Sequence, residues 1–459
     1  MKNPKRVADY INENLNEVKH TTLNPEGPGV VRIHMVPPDY DDEITGSIVI
    51  LNGQDILPIN VSWAVLLSLL IDHINEYHGR PVSKENTLRI IKDTVKDAKR
   101  LYRMVPGRVL KKDIFRIMNT FRQVAGGMYP DEDIEYIRIG EYADRMRAPH
   151  RMDLMVSAMT KDGSWHCNQN CLHCYAAGQP QSDEEELSTT EWKRIIDKCR
   201  KVCIPQVTFT GGEPTMRDDL IELIDHAKWF VTRLNTNGIR LTKDYCGQLY
   251  NASLDSVQIT FYSHDEKIHN KLVGAPMYDK SLEGIKNALE AGLSLSVNTP
   301  LCTLNKDYAA TLEFLHGLGV MYVTCSGLIT TGNARLPGSE ALRLSKEEIS
   351  AVLKEAVDYA YANEMEISFT SPGWIDEGFF DENALPVPTC GACLSNMAVT
   401  PGGNAVPCQS WLSGGNLGNF LDEDWEKIWQ SGKCKNIRHY SALMTGLCPL
   451  QEGELCDER

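Results

Sequence analysis

Three cysteines fall close together in Cys167-Asn-Gln-Asn-Cys171-Leu-His-Cys174, with Tyr175 next. Thiolates are soft ligands, and three at this spacing can hold three irons of a cubane cluster while leaving the fourth open to a substrate atom. Zinc would ask for a fourth ligand, and no further Cys or His sits at the usual spacing, although His166 and His173 are close. Three unligated loop cysteines are the plain alternative. Downstream stands Thr210-Gly211-Gly212-Glu213-Pro214. Its glycines would let backbone approach a ligand, and its carboxylate could anchor an ammonium group. On its own the same string is an ordinary turn. A further thiol group closes the chain: Cys390-Gly-Ala-Cys393, then Cys408, Cys434, Cys448 and Cys456.

The distribution of these thiols matters as much as their spacing. The chain has 459 residues and 14 cysteines, none of them before Cys167. In a short secreted chain they would read as disulfides. In a chain this long, whose start MKNPKRVADYINENLNEV lacks the apolar core of an export signal, they point to metal in a reducing cytoplasm. The balance of 47 Lys+Arg against 62 Asp+Glu, net −15, argues against a nucleic-acid coat. A membrane span is not expected either: the longest apolar run, 63–71, is broken by Ser68 and falls short of the roughly 20 residues a bilayer requires.

Positioning such residues calls for a sheet with loops at one end. From about residue 150 the pattern alternates strand and helix. Strands are expected at 153–158, 206–210, 231–235, 256–261, 294–299 and 322–326, with helices over 189–202, 217–227, 243–250, 278–291 and 308–318. Six such units predict a parallel sheet, open or curled into part of a barrel, with chemistry at the C-terminal strand ends. Before it, 1–29 reads as a flexible lead. Residues 30–148 read as a small α+β module of the winged-helix kind: strands at 30–36, 47–51 and 54–59 (the last two flanking an Asn52-Gly53 turn), then helices starting at Ser62 and Ser83 and a third over 111–123, then a linker. The barrel is expected over 149–340. A helix over 341–362 opens the last segment, 341–459, which is Gly/Pro/Cys-rich and reads as a compact metal-stapled domain.

The triplet together with Gly-Gly-Glu-Pro resembles the radical S-adenosylmethionine (radical SAM) superfamily, whose C-x3-C-x-aromatic-C signature lies after the first strand of a partial (βα)6 barrel. Here His173 fills the aromatic place. The resemblance implies that Cys167, Cys171 and Cys174 hold a [4Fe–4S] cluster, with S-adenosyl-L-methionine chelated at the open iron and cleaved to a 5′-deoxyadenosyl radical. It further implies cofactor contacts from His173, Tyr175, Gly211, Gly212, Glu213, Pro214, Asn237, Thr260, Ser263, Asn298, Gly332 and Arg335. The tail is similar to the SPASM and twitch extensions of that superfamily, which carry auxiliary [4Fe–4S] clusters and open with a Cys, a Gly-bearing hairpin and a second Cys. A full SPASM tail continues C-x2-C-x5-C-x3-C, which this chain lacks, so a twitch-like domain with one auxiliary cluster on Cys390, Cys408, Cys448 and Cys456 is expected. Cys393 and Cys434 are the competing ligands, and a zinc knuckle is the alternative. Cys199, Cys203, Cys246, Cys302 and Cys325 read as buried apolar residues, though Cys302 and Cys325 near the barrel mouth are candidate hydrogen donors to a substrate radical.

The 30–123 topology is similar to the peptide-recognition element fused to maturases of ribosomally made peptides, which bind a leader peptide as an added strand. A structural cap on the barrel is the other reading. The resemblance implies a peptide- or protein-modifying enzyme served by an external one-electron reductant such as ferredoxin or flavodoxin. A radical SAM enzyme of small molecules or cofactor precursors is the second reading. The molybdenum-cofactor cyclase family belongs there, but it ends in Gly-Gly where this chain ends Cys456-Asp-Glu-Arg459, and it has no large N-terminal module. Anaerobic sulfatase maturases are disfavoured by the missing SPASM pattern. An iron–sulfur electron carrier or redox sensor is the non-enzymatic reading.

Overall fold

A computed structural model describes residues 4–23, 31–37, 47–52, 55–77, 83–134, 138–443 and 446–452. The chain divides into two compact units, Met1–Arg147 and Ala148–Arg459.

In the first unit, helix α1 (Pro4–Asn14) precedes an antiparallel meander of β1 (Lys19–Leu23), β2 (Val31–Val36), β3 (Ser47–Leu51) and β4 (Asp55–Ile59), followed by α2 (Val61–Asn75), α3 (Lys84–Leu101) and α4 (Gly107–Ala125). The lead over 1–29 is therefore not simply flexible. Val7, Ile11 and Leu15 recur every four residues and bury one helical face in the unit's core, a stripe masked by the charges around it. Lys19–Leu23 supplies a fourth strand, pairing along its whole length with β2. Asn52 takes the positive φ of the β3–β4 turn (+49°), while its neighbour Gly53 lies outside the described residues. Asn60, not Ser62, caps α2: its Oδ1 accepts from Trp63 N at 3.0 Å, because the cap must precede the first turn in extended conformation. Ser83 caps α3 as the sequence suggests.

The second unit is built on one sheet. Its strands are β5 (Arg151–Ser157), β8 (Gln206–Gly211), β9 (Val231–Thr236), β10 (Ser256–Thr260), β11 (Ser294–Pro300), β12 (Tyr322–Ser326) and β13 (Glu366–Phe369), all parallel and in chain order. A small hairpin, β6 (Thr160–Lys161) and β7 (Ser164–Trp165), precedes Cys167. The crossovers carry α5 (Thr189–Lys201), α6 (Leu220–His226), α7 (Lys243–Asn251), α8 (Glu266–Val273), α9 (Tyr278–Glu290), α10 (Tyr308–Gly317) and α11 (Lys346–Ala362). β13 lies past residue 340; its alternation of Ile367 and Phe369 with Glu366 and Ser368 is too short a period-two signal to stand out in sequence.

The cysteine-rich region joins the same sheet. β14 (Asn396–Val399) pairs parallel with β5 on the edge opposite β13, and turns through Pro401-Gly402-Gly403 into β15 (Asn404–Val406), which pairs with β16 (Gly418–Asn419). Glu184 ties this hairpin down, accepting from Thr400 Oγ1 at 2.5 Å, Gly402 N at 3.1 Å and Asn404 Nδ2 at 2.9 Å. Helices α13 (Trp425–Trp429) and α14 (Gly432–Ala442) follow a short α12 (Glu377–Glu382).

Candidate active site

The triplet loop leaves the C-terminal end of β5, where a bulge shifts register between Met155 and Ser157. The backbone groups freed there are taken up by ions: Arg217 Nη1 donates to Val156 O at 3.1 Å, and Glu186 Oε1 accepts from Ala158 N at 2.9 Å. Arg217 itself is held by a fork to Asp219, at 2.9 and 2.8 Å. Two further elements grip the loop. Asn170 N and Leu172 N donate to Val273 O and Leu272 O at the end of α8. Asn333 accounts for the other side, donating from its backbone to Cys174 O and from its side chain to Cys171 O, both at 2.9 Å.

Glycine is required at three positions of this assembly. At Gly211 φ is +132°, and a Cβ there would sit 2.3 Å from Ser157 O; at Gly212 it would sit 2.7 Å from Ala158 O. The strand end of β8 thus lies directly on that of β5, and Gly212 O comes within 3.4 Å of the Cys167 sulfur. At Gly332 φ is +57°, and a Cβ would meet Cys174 O at 2.3 Å. Gly332 therefore packs on the triplet loop.

Glu213 differs from the sequence expectation. It is 1% exposed, and its carboxylate accepts from Thr215 N (3.0 Å), Thr215 Oγ1 (2.6 Å), Thr236 Oγ1 (2.7 Å) and Asn237 N (2.8 Å). It locks the end of β8 to that of β9, so an ammonium group would face a carboxylate already engaged by four donors. Burial raises its pKa, and these donors oppose that rise.

The strand ends surround a cavity of about 590 Å³, reached by Cys167, Cys171, Cys174, His173, Tyr175, Gly211, Gly212, Glu213, Asn237, Thr260 and Asn298. His173 packs edge-on against Tyr262, with centroids 5.1 Å apart. Burial pulls its imidazole down to about 4, and its Nδ1 is buried with no hydrogen-bond partner among the described residues. Asn237 Nδ2 donates to Asn168 Oδ1 at 2.6 Å, and Asn298 Oδ1 accepts from Thr324 Oγ1 at 2.8 Å.

Other expected contacts fall outside the cavity lining. Pro214 opens a buried 3-10 turn. Ser263 is 2% exposed and its hydroxyl accepts from Asp265 N at 3.0 Å, a local cap. Arg335 is exposed and turns back on its own loop, donating to Thr330 O at 2.7 Å. Cys325 and Cys302 are corrected as hydrogen donors. On β12, Thr324 and Ser326 face the cavity, so the intervening Cys325 points to the opposite side, fully buried. Cys302 is fully buried with Tyr262, Leu272, Val273 and Leu328. Cys203 is not the buried residue expected: it is partly exposed at φ +72° after α5.

The donor set suits an iron–sulfur cluster. Burial raises all three triplet thiols, Cys171 to about 12, and at Cys167 the Glu213 carboxylate and the other two thiols add to that rise. Among the described residues no three His, Cys, Asp or Glu side chains crowd around a single-ion position. A cubane takes one thiolate per iron and has no need of such crowding.

A second thiol group lies in the cysteine-rich region. Cys408 is raised by burial and by its neighbours Cys390 and Cys448. Cys393 pairs with Cys434, whose thiolate is favoured by Cys393 and by Arg438 Nη1 at 3.6 Å from its sulfur. Cys390 accepts from Ser441 Oγ at 3.6 Å. Cys456 lies outside the described residues. Directly after Cys408, Gln409 and Ser410 enter the lining of the barrel cavity. Sequence reasoning missed this, and also Asn333, whose place next to Gly332 was the available signal.

A partial parallel barrel with a three-thiol loop at its first strand end, continued by a thiol-rich hairpin, defines a class of iron–sulfur protein. Comparison with known families and proteins makes it specific. Residues 166–315 match the radical SAM superfamily, and 390–453 match SPASM, an iron–sulfur cluster-binding domain. The chain is 30% identical over 58% of its length to an AdoMet-dependent heme synthase of Oleidesulfovibrio alaskensis, covering 72% of that protein. It is 26% identical to a PqqA peptide cyclase of Streptomyces rochei over 64% of this chain and 79% of that one. A probable GTP 3′,8-cyclase of Methanopyrus kandleri is 38% identical over 29% of this chain, and the match spans 44% of that cyclase. Among solved structures, Streptococcus suis SuiB bound to precursor peptide SuiA superposes with a TM-score of 0.59 at 15% identity, over 90% of this chain and 97% of that one. This chain belongs to the radical SAM superfamily and carries a SPASM iron–sulfur domain.

Proposed function

We propose that this protein is a radical SAM enzyme that modifies a ribosomally made peptide or protein, by crosslinking or epimerisation. The observation that carries the reading is the single cavity shared by the triplet thiols and by Gln409 and Ser410 of the SPASM domain. Cys167, Cys171 and Cys174 would hold the [4Fe–4S] cluster that, when bound, delivers an electron to S-adenosylmethionine and yields a hydrogen-abstracting 5′-deoxyadenosyl radical. Cys390, Cys408, Cys448 and Cys456, with Cys393 and Cys434 as competitors, would hold the auxiliary cluster. The chain's own part is to fix the triplet loop from both sides, bring the Gly212 carbonyl beside it, and keep His173 neutral at the cavity wall.

Peptide substrates are favoured by the PqqA cyclase and by SuiB, whose structure holds a precursor peptide. The first unit suits such a substrate, since β1 and β4 are the outer strands of its sheet and an added strand pairs at such an edge. Leader binding there, a ferredoxin- or flavodoxin-type reductant and a cytoplasmic setting belong to the same proposal. No described helix is long and apolar enough to cross a membrane.

A small-molecule substrate is the second reading, favoured by a cavity volume within the roughly 300–1,000 Å³ usual for such ligands. Anaerobic incubation with S-adenosylmethionine and dithionite tests the enzyme, and absence of 5′-deoxyadenosine sinks it. Co-expression with a short open reading frame adjoining the gene, followed by peptide mass and chiral analysis, tests the substrate. Loss of two hydrogens marks a crosslink, whereas inverted stereochemistry at constant mass marks epimerisation. An unaltered peptide counts against the peptide reading.

A further inference from the structure

Below the strand ends, the wall of the same cavity becomes cationic. Asp153, Thr208 and Arg233 stand in register on β5, β8 and β9. Arg151, two residues before Asp153, brings its Nε within 2.9 Å of that carboxylate. Asp153 is thereby engaged, and it is 2% exposed. Arg233 reaches the cavity wall, yet among the described residues no hydrogen bond or ion pair holds its guanidinium; burial and then Arg151 disfavour its charge, while Asp153 favours it. Two guanidinium groups thus stand near one carboxylate, and only Arg151 is paired with it. Thr208 lies beside Arg233, also on the wall, 2% exposed and with its hydroxyl unpartnered. A fork of five N–H donors and a spare hydroxyl in a recessed site call for an acceptor with two oxygens and a negative charge. On the next rung Asn235 pairs in register with Gln258, adding neutral amides to the wall and no competing acid.

We infer that Arg233, seconded by Thr208, is a specificity subsite for the side-chain carboxylate of an aspartate or glutamate in the peptide substrate. This rests on the peptide-modifying reading. Thr236 lies three residue steps beyond Arg233 along β9, placing the subsite about 10 Å beneath the strand ends. Arg233 therefore selects and positions the substrate, and the bond-breaking chemistry belongs to the groups above it.

The test uses the reconstituted, full-length protein and two probes, N-acetyl-glutamate α-methylamide and its glutamine counterpart, followed by saturation-transfer NMR under anaerobic conditions. Wild-type protein should bind the glutamate probe about tenfold or more tightly than the uncharged isostere. This comparison depends on no variant folding. Arg233→Gln should abolish the preference and Arg233→Lys should retain part of it, with S-adenosylmethionine affinity unchanged in both. Equal binding of the two probes by wild type overturns the inference. So does loss of S-adenosylmethionine affinity in Arg233→Gln with the probe preference intact, which would assign the guanidinium to the co-substrate. Formation of 5′-deoxyadenosine is measured alongside. Its absence defeats the enzymatic reading while the probe preference still decides whether Arg233 binds a carboxylate.

Discussion

The Tyr175 hydroxyl donates to Oε1 of Gln409 at 3.3 Å, and each of these residues directly follows a cysteine, Cys174 and Cys408. One side-chain hydrogen bond thus joins the triplet loop to the SPASM hairpin. Thr210, at the end of β8, donates to the same oxygen at 3.5 Å. The two thiol groups are therefore parts of one polar junction at the cavity wall.

Tyr175→Phe removes the buried donor and leaves Gln409 with Thr210 alone. The expected cost is about 1 kcal/mol. In differential scanning calorimetry the barrel unit should melt about 2–4 °C lower, with iron content per chain unchanged. A melting point equal to wild type would show that the bond contributes nothing.

Gly332→Ala should be far more damaging, since its Cβ would meet Cys174 O at 2.3 Å in a positive-φ conformation. A loss of about 3 kcal/mol or more is expected, together with depleted iron after reconstitution. Gly247, in α7, has nothing within 4 Å of the added methyl, so Gly247→Ala should raise stability by about 0.5–1 kcal/mol. Paired denaturant melts and iron assays separate the two outcomes.

Cys325→Ala and Cys302→Ala should leave both the yield of 5′-deoxyadenosine and the product unaltered, because neither sulfur faces the cavity. Each should cost about 1 kcal/mol of stability through the void left in a packed wall. A changed product distribution in either variant would return that thiol to the chemistry.

His269 supplies a pH signature. It is fully buried against the rings of Phe261, Tyr262 and Tyr278, its Nδ1 accepts from Tyr262 N at 3.4 Å, and burial lowers it from 6.5 to about 4. The unfolded chain takes up the proton first as pH falls. The stability from this group is therefore complete above 6.5 and drains away between 6.5 and about 4, with a slope of at most about 1.4 kcal/mol per pH unit. Urea melts across that window should show His269→Gln with a shallower dependence than wild type.

Much of this was legible in the residues. The six strands read from period and punctuation appear, no end shifted by more than two residues, because β-branched runs between capped helices leave few alternatives. Ser188 and Ser345 cap α5 and α11 through capping boxes with Glu191 and Glu348, although the pattern opened the second of these helices five residues early, at 341. The triplet and the Gly-Gly pair were readable because their chemistry is tied to residue type. What was hidden depends on tertiary facing. Cys325 and Thr324 are neighbours in sequence, yet the pleat sends one to the helices and the other to the cavity. Glu213 looks like a free anchor until Thr236 and Asn237 arrive from another strand. Gln409 carries no signal at all; only the pairing of β14 with β5 brings it to the wall.

That pairing also governs how the molecule can be made. β5 carries the triplet loop, yet one of its two neighbours is a strand synthesised only after the whole barrel has emerged. Until then the loop hangs from a bare edge, the kind of surface on which unfinished chains stick to one another. A version ending before β14 would not be a smaller radical enzyme. It would be a sheet with an open seam beside the thiols of its triplet loop.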